Sequence, residues 1–201
     1  MSRIKKVKKL TDGKYINMYE LDGINRLGGK VNYYVASRNT EIEELQLMTH
    51  QIKPDGVVIY ALSKEQPDKV LLVRQYRYSI DEYIYEFPAG LIDEGETVKE
   101  TAVREVKEET GMNLEIIETE AMYERPFYPT IGMTDECLSM IYGYASGTAS
   151  KAFLEDNEDM DVVFVDRKEA KRILKEERVA LMCAYMLMHF IKDEEPFAFL
   201  K

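Results

Sequence analysis

The chain has little of the chemistry on which covalent, redox and zinc sites depend. In 201 residues cysteine and histidine occur twice each, and tryptophan does not occur. Cys137 and Cys183 form neither a CxxC pair nor a zinc-ligand spacing, so the sequence offers no disulfide framework and no zinc site. Neither histidine belongs to a Ser-His-Asp or Cys-His pattern, which argues against covalent catalysis. We expect two reduced, half-buried thiols and a cytoplasmic protein.

A basic surface and a long apolar run are also missing. Asp and Glu together number 37 against 27 Lys and Arg, which gives a formal net charge of -10. Because nucleic-acid binding needs a positive surface, we expect no nucleic-acid partner. No apolar stretch approaches the roughly 18 residues of a membrane span. The basic residues 3–9 are not followed by the apolar segment of a secretory signal, so we expect no membrane partner.

The segment 90–112 is dense in carboxylates between two glycines. Thr97 and Glu100 form a capping box, which predicts a helix that starts near Thr97. Gly111 is a natural C-terminal stop for that helix. Aliphatic residues recur every four positions from Val98, so one stripe of the helix should pack on a core.

Three glutamates share another face of this helix. Glu105 and Glu109 are four residues apart, and Glu108 is three from Glu105, so their side chains project from adjacent turns. Like charges at this spacing repel, and a divalent cation is the simplest compensation; the alternative is a solvated acidic face. Oxygen ligands of this kind suit Mg²⁺ or Mn²⁺. We expect Glu105 and Glu109 to be the main metal ligands and Glu108 the next, through a water or a second metal.

The spacing of the whole segment resembles the signature of the Nudix hydrolases. The matching positions are Gly90, Glu96, Arg104, Glu105, Val106, Glu108, Glu109, Gly111 and Met112. The resemblance implies cleavage of a nucleoside diphosphate linked to another moiety, on a helix–mixed sheet–helix sandwich. It also makes the backbone carbonyl of Ala89 a metal ligand. Since a guanidinium only donates, we expect Arg104 to orient the glutamates, with Glu96 as a brace of the loop.

An acidic loop supplies the candidates for water activation. It carries Glu155, Asp156, Glu158, Asp159 and Asp161. A carboxylate near metal can act as a general base, although composition alone also suits a solvated loop. ADP-ribose-cleaving Nudix enzymes have an acidic loop of this kind before a strand, and the resemblance favours Glu158, with Asp156 second. Which of them is base and which is ligand stays open, and Glu108 is the third catalytic candidate.

The subfamily interpretation depends on three further stretches. Residues 74–77, 86–90 and 128–132 are similar to the corresponding parts of ADP-ribose pyrophosphatases. Two residues separate Pro129 from Gly132, where the usual pattern is tighter. GDP-mannose or another nucleotide sugar therefore remains an alternative substrate. A non-catalytic, ligand-sensing Nudix domain is a third hypothesis, which the complete set of motif acids disfavours.

The candidate substrate contacts lie outside the metal-binding face. Arg77 offers a planar, bidentate donor to a phosphate. An adenine ring needs an aromatic platform, and by position Tyr15 and Tyr33 match aromatic residues that clamp the base in related dimeric enzymes. Arg38 follows Tyr33 on the same predicted strand. Leu91, within the motif, completes the set.

The remaining pattern predicts an α+β, or mixed α/β, fold with an N-terminal β-strand extension. Strands are predicted at 14–21, 31–38, 57–62, 69–77, 83–90, 114–122, 136–144 and 161–166, turns at 22–23 and 28–29, and closing helices at 167–176 and 179–191. We assign 1–50 to the extension and 51–201 to a Nudix hydrolase domain. Two or three strands alone cannot bury a core, so we expect a homodimer in which the extension helps to build the partner's site.

Overall fold

The computed structural model describes residues 2–200. Residue 1, which begins the predicted extension, and residue 201, which ends the predicted hydrolase domain, lie outside that range. The strands are β1 (Ile4–Lys9), β2 (Asn17–Ile24), β3 (Lys30–Ser37), β4 (Gly56–Ser63), β5 (Val70–Arg77), β6 (Glu82–Glu86), β7 (Ala89–Leu91), β8 (Asn113–Ile116), β9 (Leu138–Ser146) and β10 (Met160–Val165). The helices are α1 (Gln46–Thr49), α2 (Val98–Thr110), α3 (Ala121–Glu124), α4 (Arg167–Glu176) and α5 (Leu181–Lys192). The predicted α+β class is confirmed.

The chain separates into two compact units. The first comprises the chain up to Asp55 together with Pro126–Leu138, and the second comprises Gly56–Arg125 and the chain from Ser139 onward. The sequence division at residue 50 does not include the later segment in the extension. Within the first unit that segment is held by main-chain bonds, among them one from the Ala36 N–H to the Met133 carbonyl at 2.9 Å.

The first unit is built on an antiparallel sheet in the order β1-β2-β3. One face of the sheet buries Tyr19, Leu21 and Val35 against Leu45. The buried Tyr19 phenol donates to the carbonyl of Asn39 at 2.8 Å. Burial of these apolar side chains is the main stabilising term available to so small a sheet.

In this unit one strand was missed and one predicted turn was wrong. Strand β1 was not predicted, because lysines separate Ile4 from Val7 and hide the alternation; at a sheet edge such lysines also discourage pairing with other chains. Asp22 and Gly23 form no turn but lie inside β2, where Gly23 pairs with Val31. The turn at Gly28, with a φ of 83°, connects β2 to β3 as expected.

The second unit contains a seven-stranded sheet. Its main path is β10-β5-β4-β9-β8, with β6 beside β5 and β7 beside β4. Strands β10 and β6 pair antiparallel with β5, as do β7 with β4 and β8 with β9. The N–H of Asp55 donates to Cys137 just before β4 and β9 begin, and that of Lys64 donates to Ala145 near their other ends. From the first bond to the second, the residue numbers increase along both strands. The two strands are therefore parallel, and the sheet is mixed.

Both faces of this sheet are covered. Along β4, Val57, Ile59 and Ala61 alternate onto one face and pack in a core with Ala102 and Val106 of α2. On the opposite face the Tyr60 ring meets Phe87 and the C-terminal Phe197 edge-on, at centroid distances of 5.3 and 5.5 Å. Helix α2 therefore covers one face of the sheet, and aromatic residues that include the C-terminal Phe197 cover the other.

The strand predicted at 83–90 is two strands. β6 pairs with β5, whereas β7 pairs with β4. Pro88 lies between them and has no N–H to contribute to a ladder, while its carbonyl accepts the N–H of Ile59 at 2.8 Å. The chain therefore crosses from one neighbour to another at Pro88 and delivers Ala89 and Gly90 to the start of the carboxylate-rich segment.

The predicted helix in that segment is confirmed as α2. The Thr97 side chain accepts the Glu100 N–H, and the Glu100 side chain accepts the Thr97 N–H, which completes the capping box. The helix ends at Gly111, whose φ is 72°. A Cβ at Gly111 would lie 2.7 Å from the Cβ of Ser150, so both the backbone conformation and the packing require glycine there.

The rest of the second unit follows the predictions with two changes. Helix α4 has the predicted bounds, and α5 begins two residues later than expected, at Leu181. The strand predicted at 114–122 is only β8, because the chain turns into α3 after Ile116. Cys137 and Cys183 are free and fully buried, rather than half-buried. No helix within residues 2–200 is long and apolar enough to cross a bilayer.

Candidate functional site

Helix α2 presents two buried carboxylates to the inside of the second unit. Glu105 is 9% exposed and Glu109 is 3% exposed, although charged side chains are almost never buried without a partner. The Glu109 carboxylate accepts the N–H of Ala89 at 3.2 Å. Glu108, on the same helix, leaves 46% of its side chain exposed. The predicted acidic face is therefore not a uniformly solvated surface.

Gly90 makes room for one of these carboxylates. A Cβ added to Gly90 would lie 1.9 Å from Cδ of Glu105 and 2.0 Å from its Oε1. No side chain fits at such distances, so β7 and α2 approach each other this closely because residue 90 is glycine. The first motif glycine thus has a steric role that its sequence position alone does not reveal.

Arg104 ties the acids of the motif together. Its Nε donates to Glu96 at 2.9 Å, and its Nη1 donates to Glu105 at 2.7 Å and to Glu108 at 2.9 Å. Its Nη2 also donates to the carbonyl of Leu91 at 3.0 Å. The Arg104 hydrogen bond lowers the pKa of Glu96 to about 2. This geometry agrees with the expected orienting role of Arg104.

Burial disfavours the charged form of both helix carboxylates. Burial, followed by the negative charges of Glu105 and Glu158, raises the pKa of Glu109 well above its usual value. Burial is also the largest cause of the raised pKa of Glu105, against which the neighbouring Arg104 acts. A buried carboxylate resists ionisation when its compensation is incomplete. A cation bound to these oxygens would supply that compensation.

The acidic loop influences this pair electrostatically through Glu158. The charge of Glu158 acts on both Glu105 and Glu109. The Glu158 N–H donates to the carbonyl of Glu155 at 3.0 Å, and the Glu155 N–H donates back to the Glu158 carboxylate at 3.0 Å. Asp156, at the tip of this turn, is exposed. Of the two loop candidates, Glu158 is the one that has an electrostatic connection to the helix carboxylates.

Arg77 also acts on this region. Its charge opposes the rise in the pKa of Glu109. Its Nε donates to Glu86 at 2.9 Å, and its Nη2 donates to the same oxygen. The guanidinium of the predicted phosphate contact is therefore oriented by Glu86, and its charge acts on Glu109. Glu86 was not predicted to orient Arg77, since nothing in its sequence position indicates the pairing.

Three predicted substrate contacts belong to the first unit. Tyr15 is 66% exposed, and the Lys14 ammonium lies 4.8 Å from the centroid of its ring. The Tyr33 phenol donates to the carbonyl of Gly132 at 2.6 Å. Arg38 donates to Glu136 at 2.6 Å. Leu91, in the second unit, has an exposed side chain.

Tyr33 also lines an open cavity of the first unit with a volume of about 440 Å³. Aliphatic and aromatic side chains contribute most of its wall. They include Leu21, Val35, Tyr128 and Ile131. An apolar recess beside an exposed tyrosine is the kind of surface that accepts a planar ring.

The donor set in the second unit suits a hard divalent cation. Within residues 2–200 no three Asp, Glu, His or Cys side chains form a ready-made metal cage. Mg²⁺ rarely uses such cages; it binds through one or two carboxylates, with waters and substrate phosphates as its other ligands. Glu105 and Glu109, with oxygen donors only and incomplete charge compensation, fit that description. Softer metals would need sulfur or imidazole ligands.

Comparisons with known proteins show what the whole chain is similar to. A family model described as the NUDIX domain matches residues 52–184. The chain is 31% identical over 144 residues to a methanol dehydrogenase activator of Bacillus methanolicus, covering 70% of this chain and 72% of that protein. It is 26% identical over 173 residues to an ADP-ribose pyrophosphatase of Bacillus subtilis, covering 85% and 82%. A crystal structure of an ADP compounds hydrolase superposes with a TM-score of 0.61 at 18% identity, covering 86% of this chain and 82% of that one.

Proposed function

The chain belongs to the Nudix family, and from that premise we propose that it hydrolyses ADP-ribose to AMP and ribose 5-phosphate. The broader activity is hydrolysis of the diphosphate bond of a nucleoside diphosphate sugar. Relatives that are named ADP-ribose pyrophosphatase in Bacillus subtilis and in Saccharomyces cerevisiae support the substrate class. The choice of ADP-ribose within that class also rests on the stretches 74–77 and 86–90.

One observation carries the proposal. Two carboxylates one helical turn apart, Glu105 and Glu109, are buried together and lack full charge compensation. A purely structural helix would place such side chains in water. Their burial beside Gly90 is understandable when their ligand is a cation that faces a diphosphate.

The residues of the chain have distinct parts in this scheme. Glu105 and Glu109 would hold Mg²⁺ or Mn²⁺, with Glu108 and the Ala89 carbonyl as the further ligands of the proposal. The bound ion would neutralise the phosphate charge and polarise the bond that is cleaved. Arg77 would donate to a phosphate oxygen from the side of β5. Hydrolysis then requires one more group, a base for the attacking water.

We assign that base to the acidic loop. Glu158 is half-buried and acts electrostatically on both helix carboxylates, whereas Asp156 is exposed. In this proposal the Glu158 carboxylate takes a proton from the attacking water, or else completes the ion's ligands. Asp156 is the second candidate for this role. A base must lie within reach of the water that it activates, and the electrostatic influence of Glu158 on both helix carboxylates supports its choice over Asp156.

In the expected homodimer, the nucleoside end of the substrate is assigned to the first unit of the partner copy. We propose that Tyr15 and Tyr33 stack on the adenine and that Arg38 contacts the adjoining part of the nucleotide. The apolar recess beside Tyr33 supports this role. We further propose a cytoplasmic location, since both cysteines are buried as free thiols.

The substrate assignment is tested by comparing two nucleotide sugars. We expect kcat/KM for AMP release from ADP-ribose to exceed that for GMP release from GDP-mannose by about tenfold or more. Both assays contain Mg²⁺ at equal concentration, and a sample treated with a chelator serves as the control. A higher kcat/KM for GDP-mannose would contradict ADP-ribose as the substrate while leaving the reaction class intact.

A homodimer is the second part of the proposal. Val31 and Tyr33, on one face of β3, are 40% and 43% exposed, and a second copy of the chain would cover such side chains. We expect sedimentation velocity to give twice the mass of the 23.4 kDa chain. Val31→Glu should shift the protein toward the monomer, because a charge would be buried in the interface. A wild-type protein that sediments as a monomer at micromolar concentration would contradict the dimer.

A further inference from the structure

A cluster of tyrosines at the β5–β6 hairpin holds the end of the acidic loop. The Tyr83 phenol donates to the side chain of Asp159, and the main-chain N–H of Tyr76 donates to the Asp159 carbonyl at 2.8 Å. Tyr83 is itself held in place. The Arg74 guanidinium lies 4.3 Å from the centroid of its ring, and the Tyr76 ring packs against it edge-on at 5.4 Å.

Asp159 is the residue that follows Glu158. The turn that carries Glu158 is closed by its own reciprocal bonds with Glu155, both at 3.0 Å. Those bonds shape the turn but do not attach it to the sheet. The attachment comes at Asp159, one residue from the carboxylate whose charge acts on Glu105 and Glu109.

We propose that Tyr83 is a positioning residue, which holds the Glu158 carboxylate at the helix glutamates through its hydrogen bond to Asp159. The inference rests on the proposed function, in which Glu158 acts on the attacking water or on the ion. Its physical basis is geometric. Catalytic groups lose much of their effect when their position is off by about 1 Å, and an exposed turn with one anchor samples more positions than a turn with two.

The Tyr83 ring and its phenol make separable contributions. The packing of the Tyr83 ring against Arg74 and Tyr76 does not involve the hydroxyl, whereas the hydrogen bond to Asp159 depends on the hydroxyl alone. Tyr83→Phe therefore removes the side-chain anchor of Asp159 and leaves both the hairpin packing and the main-chain bond from Tyr76. Were the tyrosine cluster important only for packing, this substitution would change nothing at Glu158.

The test combines kinetics with amide exchange. For Tyr83→Phe we expect kcat with ADP-ribose to fall roughly three- to tenfold, the net effect of one ordinary hydrogen bond, because Tyr83 acts on Glu158 only through Asp159. We expect KM to change less than about twofold, because substrate binding is not affected. In the metal-free protein, mass spectrometry should show faster deuterium exchange at the amides of 154–158, because the turn opens more often.

Two further variants serve as controls. Tyr78→Phe makes the same chemical change in the same cluster at an exposed ring that packs on Tyr76, and it should leave kcat and exchange as in the wild type. Asp159→Ala removes the other partner of the bond. The double variant Tyr83→Phe with Asp159→Ala should be no slower than Asp159→Ala alone, because both changes break one interaction.

An unchanged kcat in Tyr83→Phe would overturn the proposal, and so would unchanged exchange at 154–158. Equal losses in Tyr78→Phe would also overturn it, since they would indicate a general effect on the hairpin. A wild-type protein that hydrolyses no nucleoside diphosphate sugar would instead refute the proposed function. The exchange measurement would then still decide whether Tyr83 anchors the loop.

Discussion

Glu109→Gln should reduce kcat on the order of a thousandfold while making the metal-free protein more stable. The loss follows from removing the buried carboxylate that we propose as a ligand of the catalytic ion, which would stabilise several kcal/mol of transition-state charge. The gain in stability follows from the burial of Glu109, which is 3% exposed. Glutamine has almost the same shape as glutamate and carries no charge that burial would disfavour.

The pH dependence of that gain has a definite sign. Burial raises the pKa of Glu109 above the ordinary value of 4.5. The protonated form thus favours the folded state; this contribution is complete below pH 4.5 and is lost as the pH rises through the raised pKa. Glutamine does not titrate. The difference in Tm between Glu109→Gln and wild type should therefore grow from pH 5 to pH 8, to about 2 °C or more.

Calorimetry in the presence of a chelator measures the stability, and AMP release in Mg²⁺ measures the activity. Glu94→Gln, an exposed glutamate in the same segment, is the matched control and should change neither. If Glu109→Gln hydrolysed ADP-ribose at the wild-type rate, the assignment of this carboxylate to the ion would be wrong. If its stability fell at every pH, Glu109 would have a structural bond that outweighs its burial.

Gly90→Ala should reduce kcat about a hundredfold through displacement of a neighbouring side chain. The added Cβ would lie 1.9 Å from Cδ of Glu105, so the carboxylate must move by an ångström or more, a shift that can cost a hundredfold. Overpacking should also lower the free energy of unfolding by about 1–3 kcal/mol. Urea denaturation and AMP release measure the two effects.

A shorter side chain separates the steric effect from general damage. The double variant Gly90→Ala with Glu105→Asp should recover much of the lost stability, because the displaced carboxylate is withdrawn from the new methyl group. It should remain slow, because the ligand is then misplaced. Gly132→Ala, where an added Cβ has nothing within 4 Å, is the control and should fold and react normally. Full activity of Gly90→Ala would contradict the close approach of β7 and α2.

The local part of the structure was predictable, because its signals lie close together in sequence. Thr97, Glu100 and Gly111 determine both ends of α2 by chemistry within a few residues. Strand β1 was missed because its lysines interrupt the apolar pattern. The turn predicted at Asp22 and Gly23 was wrong because pairing along β2 outweighs the local preference for a turn.

The non-local part could not be predicted in this way. No pattern in 126–138 indicates that the segment belongs with the N-terminal strands. The candidate glutamates could be named from spacing, but not the burial of Glu109 or the steric need for Gly90. The hydrogen bond from Tyr83 to Asp159 joins residues that are 76 positions apart, so it can be recognised only in the folded structure.

The guanidinium of Arg104 has a consequence for the resting enzyme between turnovers. It already bridges Glu96, Glu105 and Glu108 at 2.7–2.9 Å. The acidic pocket therefore has a built-in counter-ion and would need neither to collapse nor to unfold in the absence of a cation. An arriving cation must share Glu105 with that guanidinium, which favours loose binding and rapid exchange over permanent retention. Such a site would follow the free magnesium concentration of its surroundings.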